Sequence, residues 1–403
     1  MDQTAIKKPF SHTFLGQFIL APDLLPFSDK EIKNLDTQLN QYEQLFLNPD
    51  IERNLISRNE LLASFAISKA EESTLTLEEA HEVYNLILQN KEYTFIGQKL
   101  KAKQKLTQKD YEKLEFFNIA KTFRSLRQNP IHINDLTPAL LKKIHKELTQ
   151  GLDLFEKYLP GFTVYKSGHF RDNDTIRVGE YIPAPFKEIE KGIEELISFL
   201  KKNQNITSIG IFHTALYALH PFNNGNKRVS RILEHIFLRD KGLDSKNLYS
   251  TSYYYHKQKP RYYKYLLYSL ERQNLNHFVS FFQEAIVLSI ISVIKSSIDT
   301  KRQEFLERKD LETEVKKILR PLIKKHEIQF KNLFKIVKGK IARQTFVNYL
   351  QQATDEKIVI RREDGRATYY SLNVSLEEEK TFHSLLDFAK IRLAFIPDDI
   401  KLA

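Results

Sequence analysis

The sequence predicts a mostly α-helical protein with one small β-hairpin set inside the helical body and a separate module at the C-terminal end. Three observations carry this. Apolar residues recur with a 3.6-residue period from about residue 29 to 320, and strand-like alternation is scarce there. The segment 167–185 interrupts the period with two glycines, two prolines and an Asn-Asp turn. Charge composition then shifts near residue 300: residues 301–350 hold 14 Lys and Arg against 6 Asp and Glu, whereas 351–403 hold 8 against 10. The chain therefore divides into an N-terminal helical region (1–105), a helical core (106–298) and a basic C-terminal domain (299–403).

Element by element, Ser28-Asp-Lys-Glu31 opens the first helix as a capping box, because the Ser hydroxyl and the Glu carboxylate can each satisfy free N–H groups. Helical periodicity predicts further segments at about 58–71, 76–90, 109–126, 138–149, 186–203, 206–219, 227–240, 260–272 and 276–297. Asp172-Asn-Asp174, between Phe170-Arg171 and Thr175-Ile-Arg-Val178, predicts a short hairpin. The apolar run 278–294 carries Gln283 and Glu284 and reads as a buried helix rather than a membrane span. In the C-terminal domain, 311–326, 330–337 and 342–354 read as helices, with Lys338-Gly-Lys340 ending the second. Ile358-Val-Ile-Arg361 and Thr368-Tyr-Tyr-Ser-Leu372 flank the turn Glu363-Asp-Gly365. Three helices and a hairpin look like a winged helix-turn-helix. Arg343, Gln344, Thr345 and Asn348 would lie on its recognition helix and Arg361, Arg362 and Arg366 on its wing, making DNA a candidate partner.

Composition narrows the chemistry. The 403 residues contain no cysteine, which excludes disulfides, thiol catalysis and thiolate metal sites. A net charge of +11 favours polyanionic partners, moderately, since 51 acidic residues are interspersed. The N-terminal stretch lacks the layout of a secretory signal, so a cytoplasmic protein without a membrane role is the expectation.

One stretch concentrates the chemistry: Leu219-His-Pro-Phe-Asn-Asn-Gly-Asn-Lys-Arg-Val-Ser-Arg231, lying between two apolar helices. Gly225 and Asn226 can turn the backbone so that N–H groups and the following helix dipole form an anion nest. Arg228 and Arg231, three apart, share a helix face and could clamp two phosphates. His220 stands at the loop entrance, and an imidazole is suited to take a proton from an incoming hydroxyl. Base, nest and two arginines together describe phosphoryl or nucleotidyl transfer.

This stretch resembles the signature of Fic (Fido) proteins, His-x-Phe-x-(Asp/Glu)-Gly-Asn-Gly-Arg-x-x-Arg, matched by His220, Phe222, Gly225, Asn226, Arg228 and Arg231. Gly168-His-Phe-Arg171, Ile176-Arg-Val-Gly179 and Tyr181-Ile-Pro-Ala-Pro185 are similar to the family's flap and the segment after it. Ser252-Tyr-Tyr254 and Arg261-Tyr-Tyr263 are similar to its later core helices. The resemblance implies a Fic-type helical core with a β-hairpin flap, and a protein adenylyltransferase that moves AMP from ATP to a Ser, Thr or Tyr hydroxyl of a target protein. It implies His220 as base, Phe222 as core anchor, and Gly225, Asn226, Lys227, Arg228 and Arg231 around the phosphates. It further implies Thr175, Ile176, Arg177 and Val178 as the target-holding flap, and Tyr262 and Tyr263 beside the adenine. A homodimer is compatible with it.

Two positions depart from the signature. Asn224 stands where the family has the acidic residue that usually holds Mg2+, and an amide oxygen is a weaker ligand for a hard cation. Lys227 stands at the second motif glycine and resembles the Doc branch, which phosphorylates its target. Phosphotransfer, or a DNA-binding regulator with a degenerate nucleotide-binding Fic domain, are therefore alternatives. The family's inhibitory helix, (Ser/Thr)-x-x-x-Glu-(Gly/Asn), fits Ser68 and Glu72 in spacing, with Glu72 expected as a partner of Arg231. Aligning on the following Thr-Leu-Thr-Leu run favours Glu71, and aligning on Ser64 leaves Ser68 in the Glu position.

Overall fold

In the computed structural model, which describes residues 6–43, 49–70, 72–337 and 341–397, the chain divides into two compact units near residue 290. The first is almost entirely helical: α1 (Asp29–Glu43), α2 (Pro49–Lys69), α3 (Leu77–Leu88), α4 (Phe95–Lys101), α5 (Gln108–Gln128), α6 (Pro138–Thr149), α7 (Ile189–Lys202), α8 (Ile206–Leu219), α9 (Asn226–Asp240), α10 (Thr251–Lys257), α11 (Lys259–Glu271) and α12 (Asn276–Glu307), the last running past the boundary. Helices from both sides of residue 105 share its packing, since α2 and α3 lie on α5 and α2 also lies on α10.

Local chemistry sets the helix starts. Glu31 Oε2 accepts from the Ser28 N–H at 2.8 Å and Ser28 Oγ accepts from the Glu31 N–H at 3.3 Å, the expected capping box. Thr76 with Glu79 opens α3 in the same way, as does Thr107 with Asp110 for α5. Asn205 Oδ1 takes the Ser208 N–H at 2.8 Å and starts α8. Every α8 residue but one is buried, so this helix is apolar all round and forms the centre of the unit. It lies close against α12: a Cβ on Gly210 would meet Phe282 Cδ1 at 2.6 Å, a contact only glycine permits. Helix α12 is long and apolar enough to cross a membrane, but 89% of its most apolar window is buried inside the protein, in keeping with the buried helix read from sequence.

The second unit holds α13 (Thr313–Leu319), α14 (Pro321–Lys324), β1 (Ile328–Gln329), α15 (Phe330–Val337), α16 (Arg343–Asp355), β2 (Val359–Asp364), β3 (Ala367–Leu372) and α17 (Glu377–Arg392). The sheet is antiparallel with order β1-β3-β2, and Val359 pairs with Leu372 while Asp364 pairs with Ala367 across the turn. Its core gathers Leu319, Leu322, Leu333, Phe346 and Leu350. The single helix expected over 311–326 is two, because Pro321 supplies no N–H to continue the first. Glu71 and residues 338–340 lie outside the described residues.

The hairpin expected around Asp172-Asn-Asp174 does not form; the segment is a loop with one bridge, Val178 to Tyr181. Side chains hold it instead of a ladder. Arg171 is 4% exposed and donates from Nε to the His220 carbonyl at 2.8 Å, with further bonds to the Asn173 and Ala184 carbonyls. Asp174 Oδ1 takes the Phe186 N–H at 2.7 Å.

Candidate active site

Helix α8 ends on His220, whose φ of 47° and ψ of 60° place it in the left-handed region. Its N–H still reaches the Leu216 carbonyl at 3.0 Å, so the residue closes the helix while turning the chain outward. The loop that follows is braced by one amide: Asn226 Oδ1 accepts from the Phe222 N–H at 3.0 Å and its Nδ2 donates to the Phe222 carbonyl at 2.8 Å. Gly225 has φ 84° and caps α9. Phe222 is fully buried and lies flat on the His145 ring, with centroids 3.8 Å apart and planes 5° apart.

His145 ties the loop to α6. The Gly168 N–H donates to its Nδ1 at 3.0 Å, which leaves Nε2 to donate to the Asn224 carbonyl at 3.0 Å. This arrangement needs the neutral imidazole. Burial drives its pKa down to about 4, the nearby Arg228 charge pushes the same way, and the Asn224 carbonyl opposes both.

A cleft of about 460 Å³ opens in front of the loop. His220, Gly225, Asn226 and Lys227 line one wall, and Thr175, Ile176, Arg177 and Val178 line another. Tyr263 borders it as well, donating from its hydroxyl to the Ala70 carbonyl at 2.8 Å, with Lys227 Nζ 5.2 Å from its ring centre. The cleft thus gathers the expected base, the glycine turn, the first turn of α9 and the flap.

Other expected residues sit elsewhere. Arg228 is fully buried behind the loop, with Nη2 donating to Glu115 Oε1 at 2.5 Å and to the Tyr165 hydroxyl at 3.0 Å. Arg231 is 1% exposed and donates to the Ala66 carbonyl of α2 at 3.2 Å, its guanidinium 4.4 Å from the Tyr262 ring centre. Tyr262 is therefore a buried cover for Arg231, not an adenine wall, and His213 holds its hydroxyl at 3.1 Å. Asn226 spends its side-chain amide on the loop, so only its backbone is available to a phosphate. Glu72 does not reach Arg231: its side chain is 83% exposed and lies 3.8 Å from Lys259. The reason is local, since α2 ends at Lys69 and Glu72 takes φ 63°, which turns it outward. Ser68 stays buried and donates to Glu115 Oε2 at 3.2 Å.

Sequence reasoning missed Glu115, Tyr111, Tyr165 and His145. Glu115 is 1% exposed and also accepts from the Tyr111 hydroxyl at 2.7 Å, so a buried carboxylate, itself held by Tyr111 and Ser68, occupies Arg228 together with Tyr165. The one available signal was a Glu on the apolar face of α5, with no motif around it.

For magnesium the donor set is poor. Among the described residues that line the cleft there is no carboxylate. Asn224 Oδ1 already accepts from the Gly225 N–H at 2.8 Å, and Asn223 Oδ1 is a single buried neutral oxygen. A hard divalent cation wants several oxygens, carboxylates among them. These residues do not fit a protein-held magnesium ion, and Asn224 is a loop brace rather than a metal ligand.

In the second unit, Arg343, Gln344 and Asn348 are exposed on α16 and Thr345 is half-buried. Gln344 Nε2 donates to Asn348 Oδ1 at 3.0 Å. On the hairpin, Arg361 pairs with Glu363 at 2.6 Å and Arg362 with Glu327 at 2.7 Å, which offsets much of its positive charge.

Most of the cleft's lining residues fall within a stretch that matches a known family. Residues 135–238 match the Fic/DOC family. A probable protein adenylyltransferase of Aquifex aeolicus (strain VF5) is 32% identical over 94 residues, which cover 22% of this chain and 29% of that protein. A structure of Fic-1 from C. elegans superposes with TM-score 0.50 at 14% identity, covering 68% of this chain and 72% of that one, and it shows the fold. A Fic family protein from Desulfovibrio desulfuricans G20 gives TM-score 0.49 at 18% identity over 88% of this chain and 99% of its own.

Proposed function

We propose that the chain is a Fic-type protein adenylyltransferase, moving AMP from ATP to a Ser, Thr or Tyr hydroxyl of a target protein. The observation that carries this is the cleft in which His220, the Gly225 turn and the 175–178 flap meet. The name of the Aquifex aeolicus relative supports the same chemistry. His220 takes the hydroxyl proton as the target oxygen bonds the α-phosphorus, and pyrophosphate leaves as its bond to that phosphorus breaks. The loop N–H groups and the α9 N-terminus hold the charge that develops. The flap supplies backbone to an extended target segment. Magnesium would come as the nucleotide's own counter-ion, and no step here is assigned to it.

Arg228 and Arg231 are buried, and Arg231 is held by the Ala66 carbonyl of α2, so a phosphate meets either only if the chain covering them moves. Nucleotide entry therefore competes with the C-terminal end of α2. Lys227 already stands at the cleft wall, which favours one second reading: delivery of the γ-phosphate. Incubation with a target-containing lysate, Mg2+ and ATP labelled at the α- or the γ-phosphate decides. Label from α alone excludes phosphotransfer, label from γ alone excludes adenylylation, and no label from either excludes catalysis.

The C-terminal domain we read as a winged helix that binds DNA through Arg343, Gln344, Thr345 and Asn348. A salt-dependent mobility shift that Arg343→Ala weakens is the expected result. A shift without any label would make the chain a DNA-binding regulator with an inactive Fic domain. Cytoplasmic residence, where ATP and targets meet, completes the proposal, and a homodimer is tested by sedimentation.

A further inference from the structure

A second, smaller cavity of about 280 Å³ lies between the last turns of α5 and α9, away from the residues of the cleft. Phe123, Leu126, Pro130, Ile131, Ile232 and Ile236 give it apolar walls. Its polar lining includes Arg127, His235 and Arg239, the last two spaced i, i+4 and so on one face of α9.

Helix C-termini attract cations, which accounts for an arginine in each last turn. It does not account for how these side chains are left. Arg127 is satisfied, donating from Nε to Glu60 Oε2 at 2.7 Å. Arg239 is not: among the described residues its Nε is shielded from solvent and has no acceptor, and its hydrogen bond is a long one from Nη2 to the Ser245 carbonyl at 3.5 Å. His235 is 6% exposed, its ring 4.5 Å from Phe123 and its Nδ1 3.9 Å from Asp244 Oδ2, and among the described residues its Nε2 is buried without a hydrogen bond. A buried polar group left without its hydrogen bond is destabilising, so two beside one cavity call for an occupant that supplies acceptors.

Charge points the same way. The carboxylate nearest to balancing Arg239 is Asp244, and burial pushes its pKa well up, toward the neutral acid. The ionised Asp240 at the cavity is committed to His132 Nδ1 at 2.5 Å, Lys241 at 3.2 Å and the Ile133 N–H at 3.3 Å. Among the described residues no carboxylate comes within ion-pair distance of Arg239, whose half-buried positive charge thus stands next to an apolar chamber. Bulk water meets the charge but not the walls.

We infer that this cavity is a ligand site for a small monocarboxylate with an apolar body, such as a single aromatic ring, whose carboxylate meets Arg239 and His235 and whose body lies between Phe123 and the two α9 isoleucines. The volume suits one ring and excludes a nucleotide. The inference is independent of the reaction at the cleft.

Calorimetric titration of the full chain with benzoate, benzamide and inorganic phosphate tests it. Benzoate is expected to bind saturably at one site. Benzamide, which keeps the ring and loses the charge, and phosphate, which keeps the charge and loses the ring, should each bind at least tenfold more weakly. Arg239→Gln should weaken benzoate tenfold or more, and Ile131→Trp, which fills the chamber from its rim, should abolish binding. The comparison of the three probes on the unaltered chain stands even if a variant fails to fold. No saturable benzoate binding, equal binding of benzamide or phosphate, or unchanged binding in folded Arg239→Gln overturns the assignment.

Discussion

Helix α9 sets one cation at the cleft wall and two behind it. Lys227 lines the cleft, whereas Arg228 and Arg231, one and four residues later, are buried beneath α2 and α5. The three belong to one motif and read in sequence as one phosphate-binding group. In the folded chain they have different competitors: Lys227 lies over an aromatic ring, Arg228 holds a buried carboxylate, and Arg231 holds a backbone carbonyl. Spacing on a helix fixes which way a side chain faces. It does not say what already occupies that face, and here the occupants make nucleotide binding a contest.

Four experiments break or sharpen this contrast. The largest effect belongs to His220→Ala, which removes the base from the cleft side while leaving both arginines in place. Label transfer from ATP should fall by about 100-fold or more, the usual scale for losing a general base. Persistence of label would show that the base lies elsewhere.

Glu115→Gln comes next and acts on the buried side. Removing one partner of a buried ion pair costs about 3–5 kcal/mol, so the thermal midpoint should drop by several degrees. Because Arg228 then lacks a counter-charge, ATP should raise the midpoint more in the variant than in the parent protein. Equal shifts would mean that the nucleotide never reaches Arg228.

Acid tests the loop between the two sides. His145 has its pKa held down at about 4 against 6.5 for the free side chain, so the folded state favours the neutral ring. The unfolded chain binds the extra proton first. This contribution is therefore fully present above about pH 6.5 and is lost as pH falls toward 4, by up to about 3 kcal/mol. Urea unfolding should show His145→Phe less stable than the parent at pH 7.5, with the gap narrowing toward pH 4. A gap independent of pH would mean that His145 does not titrate with folding.

The smallest effect is expected from Glu72→Gly. With its side chain exposed and its φ positive, glycine should leave label transfer within about twofold and stabilise slightly, by under about 1 kcal/mol. A large rise in transfer would restore Glu72 to the inhibitory role that its spacing suggested.

Much of the first unit was legible because its helices announce themselves. Apolar period and caps placed α5 to α9 within about three residues, and Ser28 with Glu31 formed the box that their spacing implied. The cleft was legible for the same reason: His220 and Gly225 sit at helix ends, where local sequence governs the backbone. What failed depended on distant partners. The flap looked like a hairpin by its turn residues, yet Arg171 and Asp174 tie it to the His220 carbonyl and the Phe186 N–H. Glu115 carried no local mark, because what makes it matter is Arg228, 113 residues away. Glu72 had the right spacing and the wrong backbone.

The left-handed turn at His220 has one further consequence. For a residue with a Cβ this conformation costs about 1–2 kcal/mol, and glycine would adopt it without strain. A library of this protein screened for heat resistance alone would therefore be drawn toward glycine at position 220 and would discard the imidazole. Thermostability engineering has to hold that position fixed, because there the backbone's preference and the chemistry's requirement point to different amino acids.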